Sequence, residues 1–475
     1  MFDGSLRLTW PSLIEPVTQI ASFVQSRGIG LNEPVILECV NSVSGAATIL
    51  ALLASGMSFA LFPAPKPGFI EPPLPSFFRY RIRVRSSLGP EQRDPISLLR
   101  PETFLDIHSV EGHRPLPMYS PLRRERLFLR TSGSIDSPKM VAHTHSNLLA
   151  NARNAVARLA LEPTDRVLIP VPLAHMYGLG AGFLPSLCVG ASIELVEGAN
   201  LLRYFDRERH FQPTVAFLTP NLCTMLVRPR STPDHYRHVV VAGDKLHPDT
   251  FHKAEALYRR VVNLYGSSEL GVISAADARE SEGARDTTVG RPLPGVELRL
   301  STQSGSADRY RDSGELLCSH PHGFECYVDN DGECIMPDDP ALQEGWVSTR
   351  DMARVHADGL LEILGRNDHA VKRDGRLVML AEVERAIEKL PGVEKAAAIV
   401  AGETNRGRGI VVYCALRADA DADSEALRKA CHDILPPYAI PDEIRTMAAL
   451  PTLPSGKLDR RTLQQHLATS SPRSR

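Results

Sequence analysis

No excess of charge of either sign, few cysteines and no uninterrupted membrane-length apolar run characterise this 475-residue sequence. Its 54 Lys and Arg nearly balance 56 Asp and Glu, a net charge of −2, which argues against a protein that coats a polyanion. Eight cysteines are too sparse for a disulfide scaffold in so long a chain. Cys318, Cys326 and Cys334 are evenly spaced, yet no C-x-x-C and no His pair at zinc-finger spacing accompanies them. The cysteines therefore read as reduced thiols of a cytoplasmic protein. The opening MFDGSLRLTWPSLIEP has no basic segment followed by an apolar run, so no secretory signal is expected. The most apolar stretch, Gly45 to Pro63, approaches the length of a membrane span, but Gly56 and two serines interrupt it and no basic flank orients it. It reads as a buried helix, a turn at Gly56 and a short strand of a soluble protein. Repeats and low-complexity tracts are also missing, apart from a terminal SPRSR that reads as a frayed tail. What remains, 43% hydrophobic and 23% charged residues with Pro and Gly scattered, is a globular composition with chain enough for two to four domains.

Short apolar runs alternate with helical segments in the first part of the chain. Leu127–Leu129, Arg166–Val171, Ala191–Val196, Val215–Leu218, His238–Val241 and Val261–Leu264 read as strands. Ser146 reads as the N-cap of a helix with Leu148, Ala152, Ala155, Val156 and Leu159 on one face. This alternation predicts parallel sheets covered by helices, with the site at loops beyond the strand ends. The pattern changes near Gly365. A helix at Ala381–Leu390, strands near Lys395–Val400 and Ile410–Leu416, and a helix at Ser424–Ile434 then form an α+β arrangement. The expected fold is α/β, with a large N-terminal domain of helix-covered sheets over residues 1–367 and a smaller α+β C-terminal domain over 368–475.

Residues 131–140, TSGSIDSPKM, lie between a strand and a second strand-like run, VAHTH. Thr131, Ser132, Gly133, Ser134 and Lys139 supply close-approaching N–H groups, hydroxyls and a cation, which is what a polyphosphate needs. Pro138 stands where a Walker loop has its second glycine. No Ser or Thr follows the lysine, and a strand rather than a helix comes next, which argues against a kinase or an ordinary P-loop NTPase. On these residues alone, a phosphate cradle and a simple Ser/Gly turn remain equal alternatives.

T-S-G-S-x-x-x-P-K followed by T-H-x-N-L (Thr144, His145, Asn147, Leu148) resembles the phosphate loop of the adenylate-forming superfamily. That superfamily comprises acyl-CoA synthetases, aryl-acid ligases and nonribosomal-peptide adenylation domains. Further segments resemble it in order: VLIPVPLAHMYG from Val167, AGDKL from Ala242, YGSSE from Tyr265, GEL from Gly314, WVSTRD from Trp346, GRNDHAVKRDG from Gly365 and PTLPSGKLDRRTL from Pro451. One such match could be chance; this many in order is hard to explain otherwise.

The resemblance implies that a carboxylate attacks the α-phosphorus of ATP, releasing pyrophosphate, and that the acyl-adenylate then passes its acyl group to a thiol. Placing an anionic nucleophile on an anionic triphosphate requires cations and oriented donors. By resemblance, Thr131–Lys139 holds the β- and γ-phosphates, Glu269 binds Mg²⁺, and Ser268 keeps a hydroxyl near the α-phosphate. Gly243, Asp244 and Lys245 border adenine, while Tyr265 and Gly266 offer it a face and an approach. Asp351 and Arg366 reach the ribose and phosphate. Lys457 bridges the incoming carboxylate and ATP. Asp368 sits at the hinge about which a mobile C-terminal domain rotates between half-reactions, withdrawing Lys457 and bringing in the loop that includes Gly375.

Residues 171–190 contain no Asp or Glu to pair with a substrate ammonium, which argues against an α-amino acid. A-H-M-Y resembles motifs of aryl-acid and acyl-CoA ligases, with Met176 apolar where ortho-hydroxybenzoate activators carry Asn. An aryl acid or a medium-length acyl chain is expected. His175 is read as a pocket gate, a carboxylate contact or a packed neutral histidine. Four positions depart from the family pattern. Ile135 and Asp136 replace Thr and Gly, Met140 replaces a Gly, and Arg350 stands where T-G-D has its glycine. They leave a second reading, a catalytically weak nucleotide- or acyl-binding relative with a regulatory or interaction role. The thiol belongs to CoA or to a separate carrier protein, since no carrier attachment motif follows Lys457. No nucleic-acid or membrane partner is expected.

Overall fold

Strands rich in Val, Ile, Leu and Phe that are buried on both faces, such as Val215–Leu218 and His238–Val241, demand cover on each side. The computed structural model supplies it with helices. It describes the chain except residues 5, 66–73, 86–98, 132–139, 199, 229–232, 302–312, 336–341, 343, 367–369, 375, 418–422, 453–457 and 471–475. The chain divides into two units. One comprises Met1–Glu297, Ser319–Val347 and Asp358–Leu361; the other comprises Leu298–Cys318, Ser348–Ala357 and Glu362–Arg475.

The first unit holds two sheets. From edge to edge, one runs Cys334–Ile335, Cys326–Val328, Met140–Thr144, Arg126–Arg130, Phe59–Pro63, Val35–Cys39, Tyr80–Val84 and Leu105–Ser109. The other runs Arg291–Pro292, Gly271–Ala275, Val261–Ser267, His238–Val241, Val215–Leu218, Arg166–Ile169 and Ser192–Leu195. In this second sheet the five strands from Val261–Ser267 to Ser192–Leu195 are all parallel, so their carboxyl ends share one edge. Neither sheet is purely parallel, contrary to expectation. Met140–Thr144 returns antiparallel to Arg126–Arg130, and Gly271–Ala275 returns antiparallel to Val261–Ser267. The reason is that short connections link these strand pairs, and short connections permit only antiparallel neighbours.

The apolar stretch folds as expected, into a buried helix Val43–Ala54 capped by Ser42, a turn at Gly56 and the strand Phe59–Pro63. No described helix is long and apolar enough to cross a membrane. The helix after the phosphate loop spans His145–Arg158 and buries Leu148, Ala152 and Ala155, but its cap is Thr144 rather than Ser146. Thr144 ends its strand with extended backbone, so its hydroxyl is placed to accept from the Asn147 N–H at 3.0 Å. The reduced-thiol reading holds for six of the eight cysteines and is corrected for the other two. Antiparallel pairing of the Cys326–Val328 and Cys334–Ile335 strands brings Cys326 and Cys334 to a Cα separation of 5.7 Å, and a disulfide joins them.

The second unit has a four-stranded sheet of Glu297–Ser301, Ser313–Ser319, Val347–Val355 and Leu361–Arg366. Its other sheet orders Arg376–Met379, Ala370–Arg373, Gly407–Leu416 and Val393–Thr404, with Glu443–Met447 alongside Gly407–Leu416. Alternation sorts the two long strands between two layers. Ala396, Ala398, Ile410, Val412 and Cys414 pack with the helices Leu380–Ile387 and Ser424–Ile434, while Ala397, Ile399, Val411 and Tyr413 pack with Leu463 and Leu467 of Arg460–Ser470. Arg460 ties that last helix down by donating to both carboxylate oxygens of Glu384 (2.5 and 2.9 Å) and to the Ala398 carbonyl.

Burial holds four imidazoles of the first unit, His143, His145, His238 and His320, down to about 4, well below the usual histidine value of 6.5. They stay neutral in the folded chain while the unfolded chain protonates near 6.5, so stability is full above that pH and falls as pH drops toward 4. The unfolding midpoint should therefore decline between pH 6.5 and 5, above the range of most carboxylates, with net proton uptake on unfolding. A flat midpoint across that window would contradict the assigned neutral states.

Candidate active site

The segment YGSSELG closes the Val261–Ser267 and Gly271–Ala275 strands into a hairpin, with Ser268, Glu269 and Leu270 at its tip. Two glycines are structural requirements here. A Cβ on Gly266 would lie 2.2 Å from the Gly271 carbonyl, and Gly271 has φ +67° with Asn151 packed against it. At the other end of the first strand sits a buried ion pair. Arg285, 1% exposed, donates to both oxygens of Glu255 and to the Val261 carbonyl, while Glu255 accepts from the Val261 N–H at 2.7 Å. Removing either partner would strand a buried charge at a cost of about 3–5 kcal/mol, so the strand's start is firmly fixed.

The tip is held carbonyl by carbonyl. His143 Nε2–H donates to Ser268 O at 2.7 Å, the Phe324 N–H to Glu269 O at 2.7 Å and Asn151 Nδ2 to Leu270 O at 2.9 Å. His320 Nε2–H donates to Val272 O at 3.0 Å, its tautomer set by the His322 N–H on Nδ1. Asn151 Oδ1 also accepts from the Val272 N–H, and Asn147 holds Gly323 through its carbonyl. On the Glu269 side chain, the Tyr327 hydroxyl donates to Oε1 at 3.3 Å. That carboxylate, partly exposed, is a hard oxygen donor. No group of three or more His, Cys, Asp or Glu among the described residues could hold a metal. Mg²⁺ needs only one or two carboxylates when phosphates and water complete its shell, so Glu269 fits it.

The expected phosphate loop lies between paired ends. Arg130 faces Met140 across the Arg126–Arg130 and Met140–Thr144 strands, and Thr131 follows directly. Ser132, Gly133, Ser134 and Lys139 lie outside the described residues, as do Ile135 and Asp136. Met140 is a buried strand residue packed with Phe77 and Phe128, which accounts for an apolar side chain in place of glycine.

Three expected segments leave the carboxyl edge of the parallel strands. His175 and Met176 follow Arg166–Ile169, Gly243, Asp244 and Lys245 follow His238–Val241, and Tyr265 through Glu269 end the hairpin's first strand. His175 is exposed and Met176 is buried. They precede a π-helix, Tyr177–Phe183, a form often found at functional sites. The Tyr177 hydroxyl lies 3.0 and 2.9 Å from the carbonyls of Leu218 and Val240, bracing the ends of two strands. Asn41 braces a third by donating to the Val171 carbonyl and accepting from the Leu173 N–H.

Asp351 and Arg366 lie on neighbouring strands of the second unit, 3.7 Å apart, with Arg366 also donating to the Thr349 carbonyl. Thr349 donates to the Leu316 carbonyl, and Ser348 to the Glu315 carboxylate, so the G-E-L and W-x-x-T motifs are cross-strand partners. Arg350 adopts φ +58°, left-handed backbone that explains why a glycine is usual there. Asp368, Gly375 and Lys457 lie outside the described residues. Sequence reasoning missed His143, Asn151, His320, Tyr327, Tyr177 and Asn41. Asn151 left a trace, a lone amide on the apolar face formed by Leu148, Ala152 and Ala155.

Comparison with known proteins now places the chain. The family described as AMP-binding enzyme matches residues 126–328, and its C-terminal domain matches 382–457, together more than half of the chain. The sulfoacetate–CoA ligase of Cupriavidus necator is 29% identical over 74% of this chain and 69% of its own length. The salicyl-AMP ligase/salicyl-S-ArCP synthetase of Mycobacterium tuberculosis is 24% identical over 98% and 86%. ATP-bound MatB from Rhodopseudomonas palustris shares the fold, with a TM-score of 0.77 at 20% identity over 97% of this chain and 93% of that one. The chain belongs to the AMP-binding, adenylate-forming enzymes, and is an ATP-using acid–thiol ligase of that class.

Arg350→Gly should stabilise the protein. Left-handed backbone costs a side-chain-bearing residue about 1–2 kcal/mol, against about 0.5–1 kcal/mol for glycine's added freedom when unfolded. Denaturant unfolding should show a gain of up to about 1 kcal/mol; a loss would mean that the Arg350 side chain makes a compensating contact.

Proposed function

We propose that this ligase activates an aryl or medium-length acyl acid, rather than an α-amino acid, and passes it to a phosphopantetheine thiol of CoA or of a separate carrier protein in the cytoplasm. The observation that carries this reading is the Ser268–Glu269 tip, pinned at each successive carbonyl and set at the carboxyl edge of the parallel strands. A site that must receive a triphosphate gains most from groups fixed before the substrate arrives. Ser268 donates to an α-phosphate oxygen. Glu269 would hold Mg²⁺, which would offset triphosphate charge. Thr131 and the loop to Lys139 take the β- and γ-phosphates, and Gly243, Asp244, Lys245, Tyr265 and Gly266 border adenine.

Asp351 accepts from the ribose hydroxyls, and Arg366, its 3.7 Å neighbour, donates to ribose or phosphate. Lys457 bridges the carboxylate nucleophile and the α-phosphate. The acid's carboxylate oxygen attacks phosphorus and pyrophosphate leaves; a thiolate then attacks the acyl carbon and AMP leaves. With residues 368–475 as the mobile domain and Asp368 as hinge, Lys457 serves the first step and withdraws for the second. Support for an acid without an ammonium group comes from the acid-free 171–190 segment and the buried Met176, and one relative is named for an aryl acid, salicylate.

Pyrophosphate release with MgATP across benzoic, cinnamic, fatty and amino acids tests this reading, with Lys457→Ala alongside. The expected result is a signal confined to aryl or medium-chain acids that falls about 100-fold or more in the variant, the scale of losing a charge-stabilising donor. Silence on every acid with nucleotide still bound would instead support the nucleotide-binding relative.

A further inference from the structure

The peptide bond between Ser268 and Glu269 joins the two side chains that the proposed reading places on the α-phosphate and on the metal. A peptide unit is rigid, so the direction of its carbonyl sets the backbone torsions on both sides and hence where both side chains point. That carbonyl accepts from His143 Nε2–H at 2.7 Å. His143 is 1% exposed and lies on the Met140–Thr144 strand, which leaves the phosphate loop at its other end. Asn151 and His320 act further along, on Leu270 and Val272, where neither reactive side chain is attached.

We infer that His143 is a positioning residue for adenylation, orienting the Ser268–Glu269 peptide so that the hydroxyl and the carboxylate face nucleotide and metal together. This rests on the ligase reading above. A histidine that merely filled the core would, on removal, lower stability without separating the kinetic constants or disturbing the response to Mg²⁺. A positioning histidine acts through a single donor, so a side chain that restores an N–H at that reach should restore function.

The test compares wild type, His143→Leu and His143→Gln in the full chain. Two readouts are used: pyrophosphate release at varied MgATP and acid, and calorimetric ATP binding with and without Mg²⁺ in the absence of acid. His143→Leu should lower kcat about 10–100-fold and diminish the gain in ATP affinity that Mg²⁺ confers, leaving KM for the acid within about twofold. His143→Gln, whose amide reaches the same position as Nε2, should recover at least about tenfold of the loss. Equal losses in both variants, an acid KM that moves in step, or an undiminished Mg²⁺ gain would each overturn the inference. If wild type releases no pyrophosphate on any acid, the ligase reading has failed, and the binding experiment still decides the role of His143. If His143→Leu does not fold, His143→Asn replaces it: its shorter amide cannot reach the Ser268 carbonyl, and activity equal to His143→Gln would again refute the role.

Discussion

A tight turn packed beside a sheet edge faces one constraint before any other: its carbonyls have left the ladder and need partners. At the tip of the YGSSELG hairpin the partners are two imidazoles, an amide and a backbone N–H drawn from three parts of the first unit. Much of the surrounding architecture follows. Met140–Thr144 must run antiparallel to its neighbour to deliver His143, and the helix after it must start at Thr144 so that Asn147 and Asn151, one turn apart, face the hairpin and the Gly323 segment. The 320–327 segment must pass close enough for His320, Phe324 and Tyr327 to reach. Burial that keeps both histidines neutral also lets each hold a single tautomer with one directed N–H.

The same logic explains why motif residues far apart in sequence come as a set. The G-E-L and W-x-x-T segments look independent, yet Ser348 and Thr349 each donate to the neighbouring strand, at Glu315 and Leu316. Asp351 follows two residues on, where the left-handed Arg350 turns the chain. The motif is therefore a fixed piece of strand pairing that ends in a carboxylate, with Arg366 on the next strand beside it. A charged pair of this kind, partly exposed, adds little to stability.

Period and local chemistry made much of this legible in the sequence. The fully buried runs Val215–Leu218 and His238–Val241 and the Ser424–Ile434 helix were readable to the residue, because each has one dominant periodicity and clear boundaries. Strand direction was not legible, since apolar runs carry no sign of whether a neighbour is parallel. The Cys326–Cys334 bridge was hidden for the same reason, as it depends on which two short strands pair. Nor could the grip on the hairpin be read. His143 sits in an apolar strand and Asn151 on an apolar helix face, and each has meaning only through a carbonyl more than a hundred residues away. Glu269, Ser268 and Asp351 are named from their motifs alone, which carry no sign of those contacts.

The described residues on either side of two segments, 132–139 and 453–457, are held alike. Each is bracketed by residues paired across antiparallel backbone, Arg130 with Met140 in one and Thr452 with Leu458 in the other. Anchors lie just outside. Met140 packs into a buried cluster, the Asp459 N–H donates to the Pro451 carbonyl, and Arg460 is fixed on Glu384. Bringing loop ends together costs entropy whether or not a ligand is present, and paired ends settle that cost during folding rather than at binding.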